Sequence, residues 1–386
     1  MTPATRVRLF TSAFPQRAGD PAGGFIAALS VALVERGHSV HVESASGAWA
    51  PPGVVVRGPW GDSGGLYSAG SAAERLALGG VRAWLAAGRA QAALVARGWG
   101  CRGRADVTVG HWLVPSGPAA LAAGGRVVLY AHGSDVALLE RLPLGGSVAR
   151  ALDAGAQVVA PVSGDLARRW CALLGRTPHA QVRVAPMGVS PPAPDANALA
   201  ALLTRPLRSH RVVTVGRLVR QKGLDVLLTA LVGRDDVTWL AAGDGPERSR
   251  LQARAAALGV DLRLLGALTP GPRDALLAGA TLFVLPSRVV EGRAEGAPVA
   301  LREALASGVP CVASAVGGVP EQAPEPALTL VPPDQPAALR AAIDALLDAP
   351  GRRAESAAAA GRVGDGLCWP SLIDHHLRVM GLDGGR

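Results

Sequence analysis

The sequence predicts an α/β protein of two Rossmann-like domains, each a doubly wound parallel sheet, facing one another across a cleft. Three observations predict it. The 386 residues exceed one ordinary core and suit two domains of fewer than about 200 residues each. Short β-branched runs alternate with Ala- and Leu-rich helical stretches along the whole chain, the pattern of parallel strands covered by helices on both faces. The run Ser190-Pro191-Pro192-Ala193-Pro194 breaks that alternation near the middle, because it continues neither a helix nor a central strand.

Taken in order, strands are expected near Val7 to Thr11, Ser39 to Glu43, Asp106 to Val109, Val127 to Tyr130, Val158 to Val162 and Val182 to Ala185. Helices fill most of the gaps, including Gly24 to Arg36 and Ala72 to Arg97. In the second half, strands near Val212 to Val215, Thr238 to Ala241, Leu262 to Leu265, Leu282 to Leu285 and Cys311 to Ala313 repeat the same grammar. A Gly-rich stretch, Gly361 to Gly366, precedes a last helix over Pro370 to Met380. The domains are therefore drawn as 1–188, a linker over 189–206, a second domain over 207–366, and a terminal helical segment over 367–386 that can pack back on the first. No repeat of solenoid period is evident.

Composition narrows the class. Hydrophobic residues make up 49% and charged residues 18%, enough for packed cores and too few charges for global disorder. Basic side chains exceed acidic ones by nine, and the excess is uneven: residues 1 to 187 hold 18 basic and 10 acidic side chains, the remainder 21 and 20. A basic first half suits an anionic lipid surface or a polyanion. No Arg/Lys run and no interleaving of basic with aromatic residues supports nucleic acid, which is not expected as a partner. Cys101, Cys171, Cys311 and Cys368 lie far apart without paired spacing, so neither a zinc site nor a disulfide framework is indicated, and a reducing cytoplasm is expected. Before Pro15 there is only a short apolar run, poor material for a signal peptide. The longest apolar helical candidate, Phe25 to Val34, falls short of the ~20 residues that span a bilayer. Any membrane contact is expected to be peripheral, at the inner face.

Ligands of open α/β sheets gather outside the carboxyl ends of the strands, so the residues just past each strand carry the chemistry. The first strand of the second half runs into Gly216-Arg217-Leu218-Val219-Arg220-Gln221-Lys222-Gly223. Glycine admits close backbone approach, and Arg217 and Lys222 set two cations beside a helix start, where an anion is favoured. Lys222 is the sole lysine in a chain with 38 arginines, and a compact ammonium binds phosphate differently from a guanidinium. The fourth strand ends at Leu285-Pro286-Ser287 and leads to Glu291 through Gly308. There Pro298 suits the first turn of a helix and Gly308 its end, placing Glu295 just before the helix and Glu303 within it, off the stripe of Leu301, Ala304 and Leu305. Two carboxylates and free backbone amides at one junction can grip hydroxyls and face negative charge. In the first half, Gly23-Gly24 opens a helix, His111-Trp112 follows one strand, and His132-Gly133-Ser134-Asp135 follows the next.

Gly216-Arg217 with Lys222-Gly223, followed by Glu295 and Glu303 within Glu-Gly-x-Pro…Glu-Ala-x-x-x-Gly, resembles the retaining glycosyltransferases of family 4, over nearly the whole chain. The resemblance implies the GT-B fold and transfer of a sugar from a nucleotide-sugar donor, UDP- or GDP-linked, to a glycan, glycolipid or small-molecule acceptor. It implies that Arg217 and Lys222 hold the donor diphosphate, Glu303 the ribose hydroxyls and Glu295 the transferred sugar. The backbone of Gly216, Gly296, Ala297, Pro298 and Val299 would approach sugar and phosphate, and Gly266 to Leu268 would line the base. By the same resemblance His132 lies beside the transferred sugar, Gly23 and Gly24 reach a phosphate, and His111 and Asp135 belong to the acceptor side, with loops such as Pro51 to Ser71. No Asp-x-Asp triplet occurs, so no metal and no cofactor are expected; the nucleotide sugar is a substrate. Ala242-Gly243-Asp244-Gly245 opens a nicotinamide-binding alternative, but Arg248 stands where that fingerprint requires glycine. Two further alternatives share the fold: a nucleotide-sugar epimerase, and a silent relative that only binds sugar nucleotides.

Overall fold

A computed structural model describes residues 4–20, 22–45, 47, 49–58 and 80–383, with only the backbone given over 80–84. The first part of the helix expected over Ala72 to Arg97, and residues 59–71 of the loop expected on the acceptor side, lie outside the described residues. The chain divides into two compact units, Met1–Gly188 with Leu372–Arg386, and Val189–Ser371.

In chain order the first unit contains β1 (Arg6–Thr11), α1 (Gly24–Glu35), β2 (Ser39–Ser44), β3 (Val54–Arg57), α2 (Gly80–Gly100), β4 (Val107–His111), α3 (Leu113–Ala123), β5 (Arg126–Ala131), α4 (Ser134–Arg141), α5 (Gly145–Gly155), β6 (Val158–Pro161), α6 (Gly164–Leu174) and β7 (Gln181–Val182). Its seven strands are all parallel, in the order β3-β2-β1-β4-β5-β6-β7. β4 and β6 are buried along their whole length, as expected of strands covered on both faces. Helix ends follow local chemistry: Ser163 caps α6 by accepting from the Leu166 amide at 3.3 Å, and Gly175 ends it in the left-handed conformation.

The second unit holds α7 (Ala196–Ala200), β8 (His210–Val215), α8 (Leu224–Ala230), β9 (Val237–Ala242), α9 (Arg248–Ala257), β10 (Leu262–Gly266), α10 (Pro270–Ala278), β11 (Leu282–Leu285), α11 (Val299–Ala306), β12 (Cys311–Ser314), β13 (Leu328–Val331), α12 (Pro336–Leu347) and α13 (Pro350–Asp365). The six parallel strands run β10-β9-β8-β11-β12-β13. Alternate residues of each strand feed opposite cores: Val212, Leu282, Val284 and Val312 pack on one face. Val213, Phe283, Leu285, Cys311 and Ala313 pack on the other. α14 (Trp369–Met380) begins in the second unit and continues into the first.

Both sheets reverse direction of winding once, between β1 and β4 and between β8 and β11. These are the switch points where a crevice opens beyond the strand ends. The sequence reading missed β3 and β13, and the last strand of the first unit stops at Val182 instead of running to Ala185. Gly361 to Gly366 is mostly helix. A Cβ on Gly364 would lie 2.5 Å from the Ala306 Cα, so glycine here lets α13 pack directly on α11. All four cysteines are free, and no helix among the described residues is long and apolar enough to cross a membrane.

Candidate functional site

The second unit gathers its candidates at its switch point. β8 ends at Val215 and passes through Gly216 and Arg217 to Lys222, while β11 ends at Leu285 and passes through Ser287 to Glu295. Lys222 Nζ donates to Glu295 Oε1 at 2.7 Å, and Ser287 Oγ donates to the same oxygen at 2.7 Å. The two ionised groups, 73 residues apart, are held together in a partly buried place where Glu295 is 8% exposed. A Cβ on Gly216 would sit 3.9 Å from the Lys222 nitrogen, so the glycine backbone and the ammonium share one small space. Gly223 ends the turn with φ 60°, and any Cβ there would lie 1.9 Å from the Pro286 carbonyl oxygen; only glycine lets the start of α8 meet the end of β11 so closely. Arg217 is exposed beside this cluster in sequence.

The Glu295 carbonyl oxygen accepts from the Gly318 amide at 2.9 Å, which anchors the segment leading to α11. Pro298 caps that helix, with its carbonyl accepting from the Leu301 amide at 3.1 Å, so the amides of Val299 and Ala300 are left without a partner within the helix. Glu303, in the same helix, pairs with Arg273 Nη1 at 3.0 Å. Arg273 stands in the first turn of α10, just past Gly266 and Leu268, and its Nε and Nη2 also bind Asp274 at 3.1 and 2.9 Å. Burial pushes the Glu303 carboxyl up to about 7; the Arg273 charge pulls it down and Asp274 pushes it up. The sequence reading did not single out Arg273 or Ser287. Arg273 sits one turn after the expected base loop, in Thr269-Pro270-Gly271-Pro272-Arg273, a helix start that marks it as facing the same strand ends. Arg302, beside Glu303, is buried with Gln322 Oε1 accepting from its Nη1 at 3.0 Å, and burial lowers it to about 10.

The first unit likewise collects its candidates past β1, β4 and β5. Gly23 takes φ 68° at the cap of α1, where a Cβ would lie 2.3 Å from the Ala13 carbonyl oxygen. Gly24 follows, and Phe25 packs on the His132 ring with centroids 5.2 Å apart and on Trp112 at 5.9 Å. The start of α1 and His132 are thus neighbours. His111 Nδ1 lies 3.1 Å from His132 Nε2, and the fully buried His111 ring stacks on Tyr130 at 4.9 Å. Tyr130 Oη meets His376 Nδ1 at 2.8 Å, and His376 Nε2 meets the Pro186 carbonyl at 3.1 Å. Asp135 is 2% exposed and accepts amide hydrogens from Leu113 at 2.8 Å, His132 at 3.1 Å, Gly133 at 2.9 Å and Val136 at 3.0 Å. Its oxygens therefore tie the ends of β4 and β5 together. They also hold the turn at Trp112, whose φ of 64° is a costly conformation for a bulky side chain. Burial raises the Asp135 carboxyl, while the amides of Leu113, Gly133, Val136 and Asp135 itself oppose that rise.

Comparison with known proteins agrees with the fold. Residues 201–363 match the family model described as Glycosyl transferases group 1, and residues 22–191 match Glycosyltransferase Family 4. The chain is 34% identical over 215 residues to the GDP-mannose-dependent alpha-(1-6)-phosphatidylinositol monomannoside mannosyltransferase of Mycobacterium tuberculosis; the match covers 53% of this chain and 55% of that protein. It thus spans about half the length of that curated relative. Among solved structures it resembles sucrose-phosphate synthase from Thermosynechococcus elongatus (TM-score 0.74, 20% identity, 97% of this chain and 98% of that one). It also resembles Anabaena HepE in complex with UDP and glucose (TM-score 0.71, 17% identity, 98% and 99%). With the two family models lying end to end along it and two parallel-sheet units of the GT-B type, the chain belongs to the family 4 glycosyltransferases.

Proposed function

We propose that the protein is a retaining, metal-independent hexosyltransferase that uses a nucleoside diphosphate sugar, with a GDP-linked mannose-type hexose favoured as donor. The observation that carries the reading is the Lys222–Glu295 pair at the switch point of the second sheet. A cation and a carboxylate kept ready at 2.7 Å are the two partners needed by a diphosphate and a sugar hydroxyl respectively. The GDP-mannose dependence in the name of the mycobacterial relative favours guanosine over uridine.

In this reading, Arg217 and Lys222 hold the diphosphate and stabilise the negative charge that develops as the glycosidic bond to it breaks. Amides of Gly296, Ala297 and Val299 add oriented dipoles, and Pro298 fixes the helix start behind them. Glu295, released from Lys222 when phosphate takes the ammonium, orients the sugar. Glu303 accepts from the ribose hydroxyls once ionised, and the Arg273 charge favours that form. Gly266 and Leu268 line the base, and Gly23 and Gly24 offer amides to a phosphate. His132 touches the transferred sugar, while Asp135 serves the acceptor side by holding the His132 turn in place. The acceptor attacks on the face the leaving group vacates.

A thermal-shift panel of GDP, UDP and ADP sugars tests the donor. A ligand at 100 times its dissociation constant stabilises the folded state by about 2.7 kcal/mol, and GDP-mannose is expected to give the largest rise in Tm. A rise with UDP-glucose alone reverses the donor assignment, and conversion of the donor without acceptor identifies an epimerase instead.

A further inference from the structure

The histidine pair at the ends of β4 and β5 contains more information than its position. Burial lowers His132 to about 3 and His111 well below its ordinary value, the latter with help from His132 and His376, so each ring is neutral and carries one proton. One short contact, His111 Nδ1 to His132 Nε2 at 3.1 Å, can hold one proton, and there are two ways to place it.

If His132 donates from Nε2, His111 accepts at Nδ1 and has to carry its own proton on Nε2. That atom is buried and meets no hydrogen-bonding partner among the described residues, so a buried donor would be stranded. If His111 donates from Nδ1, its Nε2 is a bare lone pair, and an orphaned acceptor is the commoner exception in folded proteins. The surrounding groups close the other routes. The Pro186 carbonyl can only accept, so His376 carries a proton on Nε2, and its Nδ1 lies 2.8 Å from the Tyr130 hydroxyl. Tyr130 meets His111 ring to ring while its hydroxyl is turned to His376, and so brings it no hydrogen bond. The Asp135 oxygens are engaged by four backbone amides, and Phe25 and Trp112 bring only ring faces and edges against His132.

We propose that His111 is a positioning residue: donating from Nδ1, it holds His132 in the tautomer protonated on Nδ1, so that the half-buried side of His132 presents an N–H donor. The inference rests on the reading that His132 meets the transferred sugar. It deepens that reading by making His132 a hydrogen-bond donor to an oxygen, either a sugar hydroxyl or a phosphate, and not a proton acceptor. Which of the two oxygens is met separates by ligand: a phosphate contact is probed by GDP alone, a hydroxyl contact by the intact sugar nucleotide only.

The test reads the tautomer directly. Protein labelled with 15N-histidine and free of ligand is examined by long-range proton–nitrogen correlation. His132 is expected to show a protonated Nδ1 and a bare Nε2. His111→Asn, whose amide nitrogen falls where Nδ1 sits, should keep that pattern; His111→Asp, whose ionised carboxylate can only accept there, should draw the His132 proton to Nε2 and lower kcat about tenfold with little change in donor KM. A wild-type His132 protonated on Nε2 overturns the proposal. Because the tautomer is read without substrate, failure to find any transferred sugar sinks the functional reading and leaves the tautomer assignment standing. Conversely, a shifted tautomer with unchanged kcat in His111→Asp removes the positioning role while leaving the transferase reading intact. Should His111→Asp not fold, the wild-type spectrum alone decides the tautomer, and a loss of kcat in His111→Asn, which keeps the donor, removes the positioning role.

Discussion

Lys222 and Glu295 neutralise each other at 2.7 Å, so a ligand that takes up either charge weakens their pair. A diphosphate with several anionic oxygens compensates the ammonium, and a sugar hydroxyl compensates the carboxylate. Lys222→Ala is accordingly expected to reduce kcat about 10²- to 10³-fold. Circular dichroism should remain native, because Glu295 keeps the Ser287 hydroxyl; near-normal turnover would exclude Lys222 from the reaction. Glu303 provides a pH signature. Its carboxyl is raised to about 7 from an ordinary 4.5, so the folded protein holds a proton there that the unfolded chain has lost, and its contribution to stability declines as pH rises through that window. Ribose hydroxyls need the ionised form. The nucleotide dissociation constant should therefore rise below about pH 7, approaching tenfold per unit, and calorimetry on Glu303→Gln should show weaker binding with that slope gone. The residues legible in sequence were those whose meaning comes from their own strand end, such as Lys222 and Glu295. Arg273 was not, since its pairing with Glu303 joins two helices and exists only in the folded unit.

At the level of elements, strands with long β-branched cores announced themselves, and those buried on both faces were bounded to within a residue or two. β3 escaped because Val54–Arg57 follows Pro51-Pro52-Gly53 and is a four-residue edge strand exposed at alternate positions. β13, also at an edge, is four residues long and follows a run rich in proline and glutamate. The sequence assigned no element to Gly361 to Gly366, since a glycine that serves a close helix crossing has the same letter as one that serves a turn. The crossing itself is testable. Gly364→Ala places a Cβ 2.5 Å from the Ala306 Cα and 2.5 Å from the Leu305 carbonyl oxygen, both backbone atoms that cannot rotate away. A loss of about 1–3 kcal/mol by urea denaturation is expected, despite alanine's better helix propensity. An unchanged or raised midpoint would show that α11 and α13 can separate at little cost. Because α11 carries Glu303, the same variant should also weaken nucleotide binding.

Across the whole molecule, the excess of basic charge belongs to the first half, +8 over residues 1 to 187 against +1 over the rest. Such an uneven charge suits an anionic membrane surface. Co-sedimentation with phosphatidylinositol- or phosphatidylserine-containing vesicles is therefore expected at low salt and should fall off at about 0.5 M salt, where the screening length is only a few ångströms. Equal recovery with neutral and anionic vesicles would refute a charge-led attachment. The doubling of the βα pattern was plain in the sequence; which side chains meet within each unit was not, because strand order is set by tertiary packing.

The first unit is stitched from both ends of the chain. Arg36 pairs with Asp374, Tyr130 with His376, and the Val184 carbonyl with His375 at 2.9 Å, all partners brought by α14. During synthesis the ribosome delivers these stitches only after the whole second unit has emerged. The nascent first unit must therefore wait, with the α14 docking face still bare, until α14 has followed the second unit out.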